Sequence, residues 1–130
     1  MAQLNNRTIL ITGASSGIGE ASARELADTG ANLFLGARRT DRLSALAEEL
    51  GERTGWCALD VTDATSFDAF VAAAGERFGR IDALVNNAGV MPLSPLSSLE
   101  HEEWKRMIDV NILGVLNGIA SVLPRFVAQQ

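Results

Sequence analysis

Tyrosine is absent from this 130-residue sequence, which also contains only one histidine and one cysteine. A single cysteine, Cys57, excludes an internal disulfide and favours a reducing, cytoplasmic setting. We expect Cys57 to act as a small apolar residue in a buried strand. The histidine, His101, has no cysteine or second histidine with which to form a metal site, so we expect no metal and place it in the first turn of an exposed helix.

Clustered positive charge is also missing. Eleven lysines and arginines against sixteen aspartates and glutamates give a net charge of −5. Nucleic acids and anionic membranes bind through basic patches, so both are poor candidate partners. We find no apolar N-terminal segment typical of a signal peptide, and we expect no apolar run long enough to span a bilayer. The hydrophobic content of 47%, with twelve glycines and three prolines, is typical of one globular α/β domain.

Strand-like and helix-like segments alternate along the whole sequence. The predicted strands, which are short apolar runs, are residues 8–11, 32–36, 54–59 and 81–85. The predicted helices, with apolar residues at helical spacing, are residues 20–28, 40–50, 63–78 and 101 onwards. Pro124 is expected to kink or end the last helix. Repeated strand–helix units predict a parallel sheet with right-handed crossovers and helices on both faces.

A glycine-rich turn, Thr-Gly-Ala-Ser-Ser-Gly-Ile-Gly at residues 12–19, joins the first strand to the first helix. Its G-x-x-x-G-x-G spacing differs from the G-x-G-x-x-G dinucleotide pattern, and it lacks the Gly-Lys-Ser/Thr ending of a P-loop. Gly13 allows a tight turn, while Gly17 and Gly19 let backbone and helix approach a ligand and the sheet. Free N–H groups at the helix start favour a diphosphate. The alternative is a turn that only reverses the chain.

Two arginines after the second strand indicate which dinucleotide this turn would hold. An NAD-binding domain places an acidic residue about twenty residues beyond the glycine turn, to bind the ribose hydroxyls. Here Ala37 is followed by Arg38 and Arg39. A guanidinium matches a phosphate in charge and in geometry, so we predict NADP(H) in preference to NAD(H). The alternative is a pair of solvated charges at a helix start, for Arg39 in particular.

Polar residues also follow the third and fourth strands, at the edge where parallel sheets bind ligands. Asp60 is placed to accept a hydrogen bond from an adenine amino group or, alternatively, to cap a turn or helix. Asn86 and Asn87 are suited to holding neighbouring backbone, and the Ala-Gly pair after them leaves room for a sugar or ring. Asn111 lies on the apolar stripe of the last helix. We expect it to be at least partly buried, where its amide satisfies kinked backbone or orders an active-site water.

Taken together and in order, these motifs resemble the short-chain dehydrogenase/reductase family over nearly the whole chain. The resemblance implies a Rossmann-like fold and hydride transfer between NAD(P)(H) and a small alcohol or carbonyl. It implies that the cofactor is bound by Gly13, Ser15, Ser16, Gly17, Ile18, Gly19, Arg38, Arg39, Asp60, Val61, Asn87, Ala88 and Gly89. It also implies that Asn111 is the asparagine of an Asn-Ser-Tyr-Lys catalytic set, where it supports a water-linked proton relay.

The rest of that set has no counterpart here. The family's serine lies beyond the next strand and its Tyr-x-x-x-Lys on the helix after that, whereas the single lysine of this chain, Lys105, precedes Asn111. Proton transfer to the substrate needs the tyrosine, with a lysine that lowers its pKa. We therefore expect the cofactor-binding half of an oxidoreductase, inactive alone. The alternatives are a non-enzymatic NADP(H)-binding or regulatory module and a self-associating fragment.

The resemblance further implies a strand order of 3-2-1-4, which leaves the fourth strand as an open edge. An unpaired apolar strand tends to pair with another chain. The last helix would also lack a covering neighbour, and in the family this helix often forms a dimer interface. We therefore expect a homo-oligomer, formed through residues 104–115 of the last helix or through the edge of the fourth strand.

Overall fold

A computed structural model describes residues 3–130. The strands are β1 (Thr8–Thr12), β2 (Asn32–Ala37), β3 (Thr54–Ala58) and β4 (Ala83–Val85). The helices are α1 (Gly17–Ala27), α2 (Thr40–Leu50), α3 (Ala64–Phe78), α4 (His101–Ile108) and α5 (Gly114–Ala128). A π-helical turn, Asp109–Leu113, joins α4 to α5, and we call the continuous segment His101–Ala128 the last helix.

The four strands form one parallel sheet in the order β3-β2-β1-β4, which confirms the predicted fold class and strand order. Alternate residues of β1 and β2 face opposite sides of the sheet. On one side Ile11 and Leu35 pack in a cluster with Leu43 of α2. On the other side Leu10 packs in a cluster with Phe67 of α3. Helices therefore cover both faces, as the sequence predicts.

Several element boundaries differ from the prediction for local reasons. Asp63 caps α3 by accepting a hydrogen bond from the Thr65 N–H at 2.9 Å, so the helix begins one residue later than predicted. Strand β4 begins at Ala83 instead of residue 81. The side chain of Gln129, at the end of the last helix, bonds both backbone groups of Ile81. Gln129 Oε1 accepts from its N–H at 3.2 Å and Nε2 donates to its carbonyl at 2.7 Å.

Pro124 was predicted to kink or end the last helix; it lies inside α5, so it does not end the helix. A proline inside a helix removes one backbone hydrogen bond. The helix nevertheless continues past it, because Val122 and Phe126 on either side pack into the apolar cluster beneath the sheet. Tertiary packing compensates for the missing bond.

One face of the last helix is exposed although it is apolar. Its exposed apolar residues recur every three or four positions and are each at least 46% exposed; we call them the apolar stripe. They are Ile108, Ile112, Leu116, Ile119, Leu123 and Val127. Residues three and four apart share one helical face, so the stripe is continuous. Val85, on the edge strand β4, is also exposed.

We expected no segment long and apolar enough to span a bilayer. The last helix contradicts this expectation, because its length and composition would allow it to span one. The last helix has a mean hydropathy of 1.5 over its most apolar window. Polar side chains along it nevertheless bond to the folded domain. Asn117 Nδ2 donates to the Val61 carbonyl at 2.8 Å, and Ser121 Oγ donates to Asp68 Oδ1 at 2.8 Å. The helix therefore packs as part of this domain.

Asp82 links the amino-terminal ends of β1 and β4. Its side chain is only 12% exposed and accepts hydrogen bonds from the Thr8 N–H at 2.9 Å, from Arg7 at 3.1 Å and from Arg80 at 2.6 Å. Burial alone would raise the pKa of Asp82. These three hydrogen bonds outweigh that effect and hold the pKa below its ordinary value.

Candidate functional site

A cleft of about 620 Å³ lies at the carboxyl ends of the four strands. This volume is within the roughly 300–1,000 Å³ typical of small-molecule and cofactor sites. The predicted site residues that line it are Gly13, Ser15, Ser16, Ile18, Arg38, Arg39, Asp60, Val61, Asn87, Ala88 and Gly89. Gly17 and Gly19 lie in the same turn without lining the cleft, and Asn111 lines an adjoining recess of about 350 Å³.

The glycine turn packs tightly against the end of β4. The Gly13 N–H donates to the Gly36 carbonyl at 2.8 Å, and its φ of +67° suits glycine. A Cβ on Gly13 would lie 2.8 Å from the Ala88 Cα, and one on Gly19 would lie 2.5 Å from Asn87 Nδ2. Both glycines therefore allow the turn and α1 to approach the neighbouring backbone more closely than any side chain permits.

The start of α1 is open to a ligand. Gly17 has a φ of +57°, and a Cβ there would meet no atom within 4 Å. Ser16 precedes the helix in an extended conformation and makes no capping hydrogen bond through its side chain. The first N–H groups of a helix carry a partial positive charge and need acceptors. The turn therefore fits an anionic group such as a diphosphate.

Asn87 and Thr12 fix the end of β4 against the glycine turn. Asn87 Nδ2 donates to the carbonyls of Thr12 at 3.1 Å and Gly13 at 3.2 Å. The hydroxyl of Thr12 accepts from the N–H groups of Asn87 at 3.1 Å and Ala88 at 3.0 Å. Thr12 was absent from the predicted site. The only signal for it was a hydroxyl-bearing residue at the junction of strand and turn.

Arg38 and Arg39 enter the cleft beside the glycine turn. Both side chains are exposed, and within residues 3–130 neither forms an ion pair. Arg39 also precedes α2, where its backbone carbonyl accepts from the Leu43 N–H at 3.2 Å. Two guanidinium groups in one cleft without a protein counterion provide an anion site next to Ser15.

Asp60 organises a turn at the end of β3. Its Oδ1 accepts from the Thr62 N–H at 3.0 Å and from the Thr62 hydroxyl at 2.7 Å. In the part of the chain that the structure describes, its Oδ2 makes no hydrogen bond. Asp60 can therefore hold the turn through Oδ1 and accept a hydrogen bond from a ligand through Oδ2. The helix cap is Asp63 rather than Asp60.

Asn111 is exposed, so the expectation that it is at least partly buried is wrong. It lies in the π-helical turn, and its amide bonds both backbone groups of Val90. Oδ1 accepts from the Val90 N–H at 2.9 Å, and Nδ2 donates to the Val90 carbonyl at 2.8 Å. The amide was predicted either to satisfy kinked backbone or to order a water. It satisfies backbone groups, and these belong to the loop after β4 and not to the helix itself.

Sequence reasoning missed the wall of the cleft formed by the start of the last helix. Residues 102, 105, 106 and 109 line it, at the spacing of one helical face. Asp109 forms an ion pair with Lys105, and this hydrogen bond raises the pKa of the Lys105 ammonium. The spacing was visible in the sequence, but nothing local indicated that this face meets the ends of the strands.

Other reactive side chains lie away from the cleft. Within residues 3–130, no three histidine, cysteine, aspartate or glutamate side chains come together as a metal site. Cys57 is half-buried on the edge strand β3, so it is less enclosed than predicted. Burial raises the pKa of its thiol, which favours the unreactive protonated form. His101 is exposed at the first position of α4, as predicted.

A parallel sheet with this strand order, a glycine turn opening a helix and a cleft at the strand ends define a Rossmann-like domain. The family model described as short chain dehydrogenase matches residues 7–130, so the chain belongs to that family. An uncharacterized oxidoreductase of Listeria innocua is 50% identical over 130 residues. That match covers 98% of this chain and 52% of the relative.

Solved structures agree in fold and in extent. A 3-ketoacyl-(acyl-carrier-protein) reductase from Brucella melitensis, complexed with NADH, matches with a TM-score of 0.91 and 35% sequence identity. The match covers 95% of this chain and 52% of the reductase chain. An alcohol dehydrogenase from Thermococcus sibiricus, complexed with 5-hydroxy-NADP, matches with a TM-score of 0.87 and 44% sequence identity. That match covers 92% of this chain and 53% of the dehydrogenase chain. The chain thus spans about half the length of each of these three relatives.

Proposed function

We propose that this chain forms the NADP(H)-binding half of an oxidoreductase that interconverts an alcohol and a carbonyl. Family membership supports the reaction class. The observation that carries the cofactor preference is Arg38, whose guanidinium lies beside the glycine turn and has no counterion within residues 3–130. The relatives crystallised with cofactor include one complex with NADH and one with 5-hydroxy-NADP, so the preference rests on this chain's own residues.

Each part of the cleft would take a different part of the dinucleotide. The diphosphate would accept hydrogen bonds from the first N–H groups of α1. The 2′-phosphate would lie between Ser15 and Arg38, and the adenine beside Val61, with its amino group donating to Asp60. The nicotinamide ribose would lie along the Ala-Gly backbone after Asn87. The bound cofactor would supply or accept a hydride.

Asn111 would be this chain's single contribution to the catalytic set. Here its amide holds the Val90 backbone, which fixes the loop between the cleft and the adjoining recess. The sequence contains no tyrosine to move the substrate's proton. We therefore propose that these residues bind cofactor without turnover unless a complementary catalytic half is present. A non-enzymatic NADP(H)-binding module would show the same binding but no turnover in any larger assembly.

Titration calorimetry with NADPH and NADH tests the cofactor assignment. Removing a charge-assisted hydrogen bond costs about 1.5–3 kcal/mol, so Arg38→Ala should weaken NADPH binding by about 10- to 100-fold. NADH binding should change less than about twofold, because it has no 2′-phosphate. Arg42→Ala is the matched control, since Arg42 is exposed on α2 and lies outside the cleft. Equal weakening of both cofactors by Arg38→Ala would refute the phosphate assignment.

We also propose that two copies of the chain associate through the last helix or the open edge of β4. The apolar stripe supports this, because a continuous exposed apolar face on a helix marks an interaction site. A cytoplasmic location without a membrane or nucleic-acid partner is part of the same proposal. It is supported by the single cysteine and by the acidic net charge of −5.

A further inference from the structure

The start of the last helix forms one wall of the cleft. No part of the dinucleotide has been assigned to this wall. Its lining residues are Glu102, Lys105, Arg106, Asp109 and Val110. They recur three and four positions apart, so they form one face of α4 and its continuation into the π-helical turn. Most of this wall is charged, which is unusual for the lining of a cofactor cleft.

Packing further along the helix fixes where this wall stands. A Cβ on Gly114 would lie 2.7 Å from Val61 Cγ2, and Asn117 Nδ2 donates to the Val61 carbonyl at 2.8 Å. The helix backbone therefore lies directly on the residue after Asp60. Val110, one turn earlier, packs in the same apolar cluster as Val61 and Ala88. Arg106 precedes Val110 by one more turn, so the two residues share one face of the helix, and both line the cleft together with Val61 and Ala88.

Charge pairing distinguishes Arg106 from its neighbours on this wall. Lys105 forms an ion pair with Asp109, and Glu102 also acts electrostatically on Lys105. Arg106 forms no ion pair within residues 3–130. Its guanidinium is exposed and free to contact a ligand in the cleft. A guanidinium is planar and weakly hydrated, so it stacks well on an aromatic ring, whereas a lysine ammonium does not.

We infer that Arg106 stacks on the adenine of the bound dinucleotide and closes the slot between Val61 and Ala88. The inference rests on the proposed function, because that proposal places the adenine beside Val61. It assigns to Arg106 a role different from that of Arg38. Arg38 would select the 2′-phosphate, whereas Arg106 would bind the purine that NADP(H) and NAD(H) share.

Titration calorimetry with two fragment probes, 2′-phospho-ADP-ribose and ADP-ribose, separates these roles. A guanidinium stacked on an aromatic ring contributes enough that Arg106→Ala should weaken both probes by about three- to tenfold. Arg106→Lys should recover little of this loss, because it restores charge without the planar group. Arg42→Ala is the matched control: it removes one positive charge from an exposed position outside the cleft and should change both affinities by less than about twofold.

Three results would overturn the inference while leaving the proposed function intact. One is that Arg106→Ala binds both probes as tightly as Arg42→Ala does. Another is full recovery by Arg106→Lys, which would indicate charge alone. The third is a loss confined to 2′-phospho-ADP-ribose, which would make Arg106 a phosphate ligand. Failure of the unmodified chain to bind either probe would instead overturn both proposals. Because Arg106 is exposed, a circular dichroism spectrum of each variant should match that of the parent chain.

Discussion

Gly19 is the residue at which a single added methyl group should do most damage to the cofactor turn. A Cβ at this position would lie closer than 3.0 Å to both the Gly13 carbonyl oxygen and Asn87 Nδ2. Neither atom can move freely. Asn87 Nδ2 already donates to the carbonyls of Thr12 and Gly13, and Gly13 is itself bonded to the Gly36 carbonyl. The substitution Gly19→Ala therefore has to displace α1 or break these bonds.

The size of the effect follows from these contacts. Overpacking of a tightly packed site costs about 1–3 kcal/mol, and loss of one Asn87 hydrogen bond adds about 1 kcal/mol. The reduced freedom of the unfolded chain returns about 0.4–1 kcal/mol, since alanine is less flexible than glycine. We expect Gly19→Ala to lower the free energy of unfolding by about 2–3 kcal/mol.

Gly17→Ala provides the matched control, two residues away in the same turn. A Cβ on Gly17 would meet no atom within 4 Å, so its cost comes only from the φ of +57°. That cost is about 1–2 kcal/mol, partly offset by the same unfolded-state effect. Urea denaturation followed by far-ultraviolet circular dichroism measures both variants. If Gly19→Ala is as stable as the parent chain, or no less stable than Gly17→Ala, the close packing of the turn is refuted.

Two further predictions concern stability and association. Asp82→Asn should lower the urea midpoint of unfolding near pH 7. The pKa of Asp82 is depressed in the folded state, so the difference in urea midpoint between the variant and the parent chain should shrink as the pH falls below about 4. A difference that persists unchanged at pH 2 would contradict the role given to the Asp82 charge. Leu116→Glu in the apolar stripe should shift the protein from dimer to monomer in size-exclusion chromatography with light scattering, whereas the same change at exposed Ser97 should not. A dimer that survives Leu116→Glu would exclude this face as the contact.

The features predictable from sequence are those that depend on neighbouring residues. The alternation of apolar runs and helical periodicity predicted the four strands, α1, α2, α3 and the last helix, but not the short 3-10 helix Leu96–Ser98 in the predicted loop. The side from which Arg38 enters the cleft follows from its place after β2. The register of the last helix against the sheet depends instead on Gly114 lying on Val61, a contact between residues far apart in sequence. No local sequence pattern encodes a contact between residues so far apart in the chain. The wall containing Arg106 was therefore missed, and the exposure of Asn111 was predicted incorrectly.

The bidentate amides of Asn111 and Gln129 give the last helix control over the register of β4. They bond Val90 and Ile81, one residue on each side of the strand. Asn111 lies in the π-helical turn and Gln129 directly follows the last helix, so the two amides hold the segment from Ile81 to Val90 at two separate points.

The segment from Ile81 to Val90 is not fully extended, because the Asn87 N–H donates to the Val85 carbonyl at 2.9 Å in a tight turn. Strand β4 pairs with β1 through only three residues, Ala83, Leu84 and Val85. A slip of β4 along β1 would therefore also displace Ile81 and Val90 from the amides that bond them. Four hydrogen bonds from these two amides thus add to the strand pairing that positions β4, and with it Asn87 against the glycine turn.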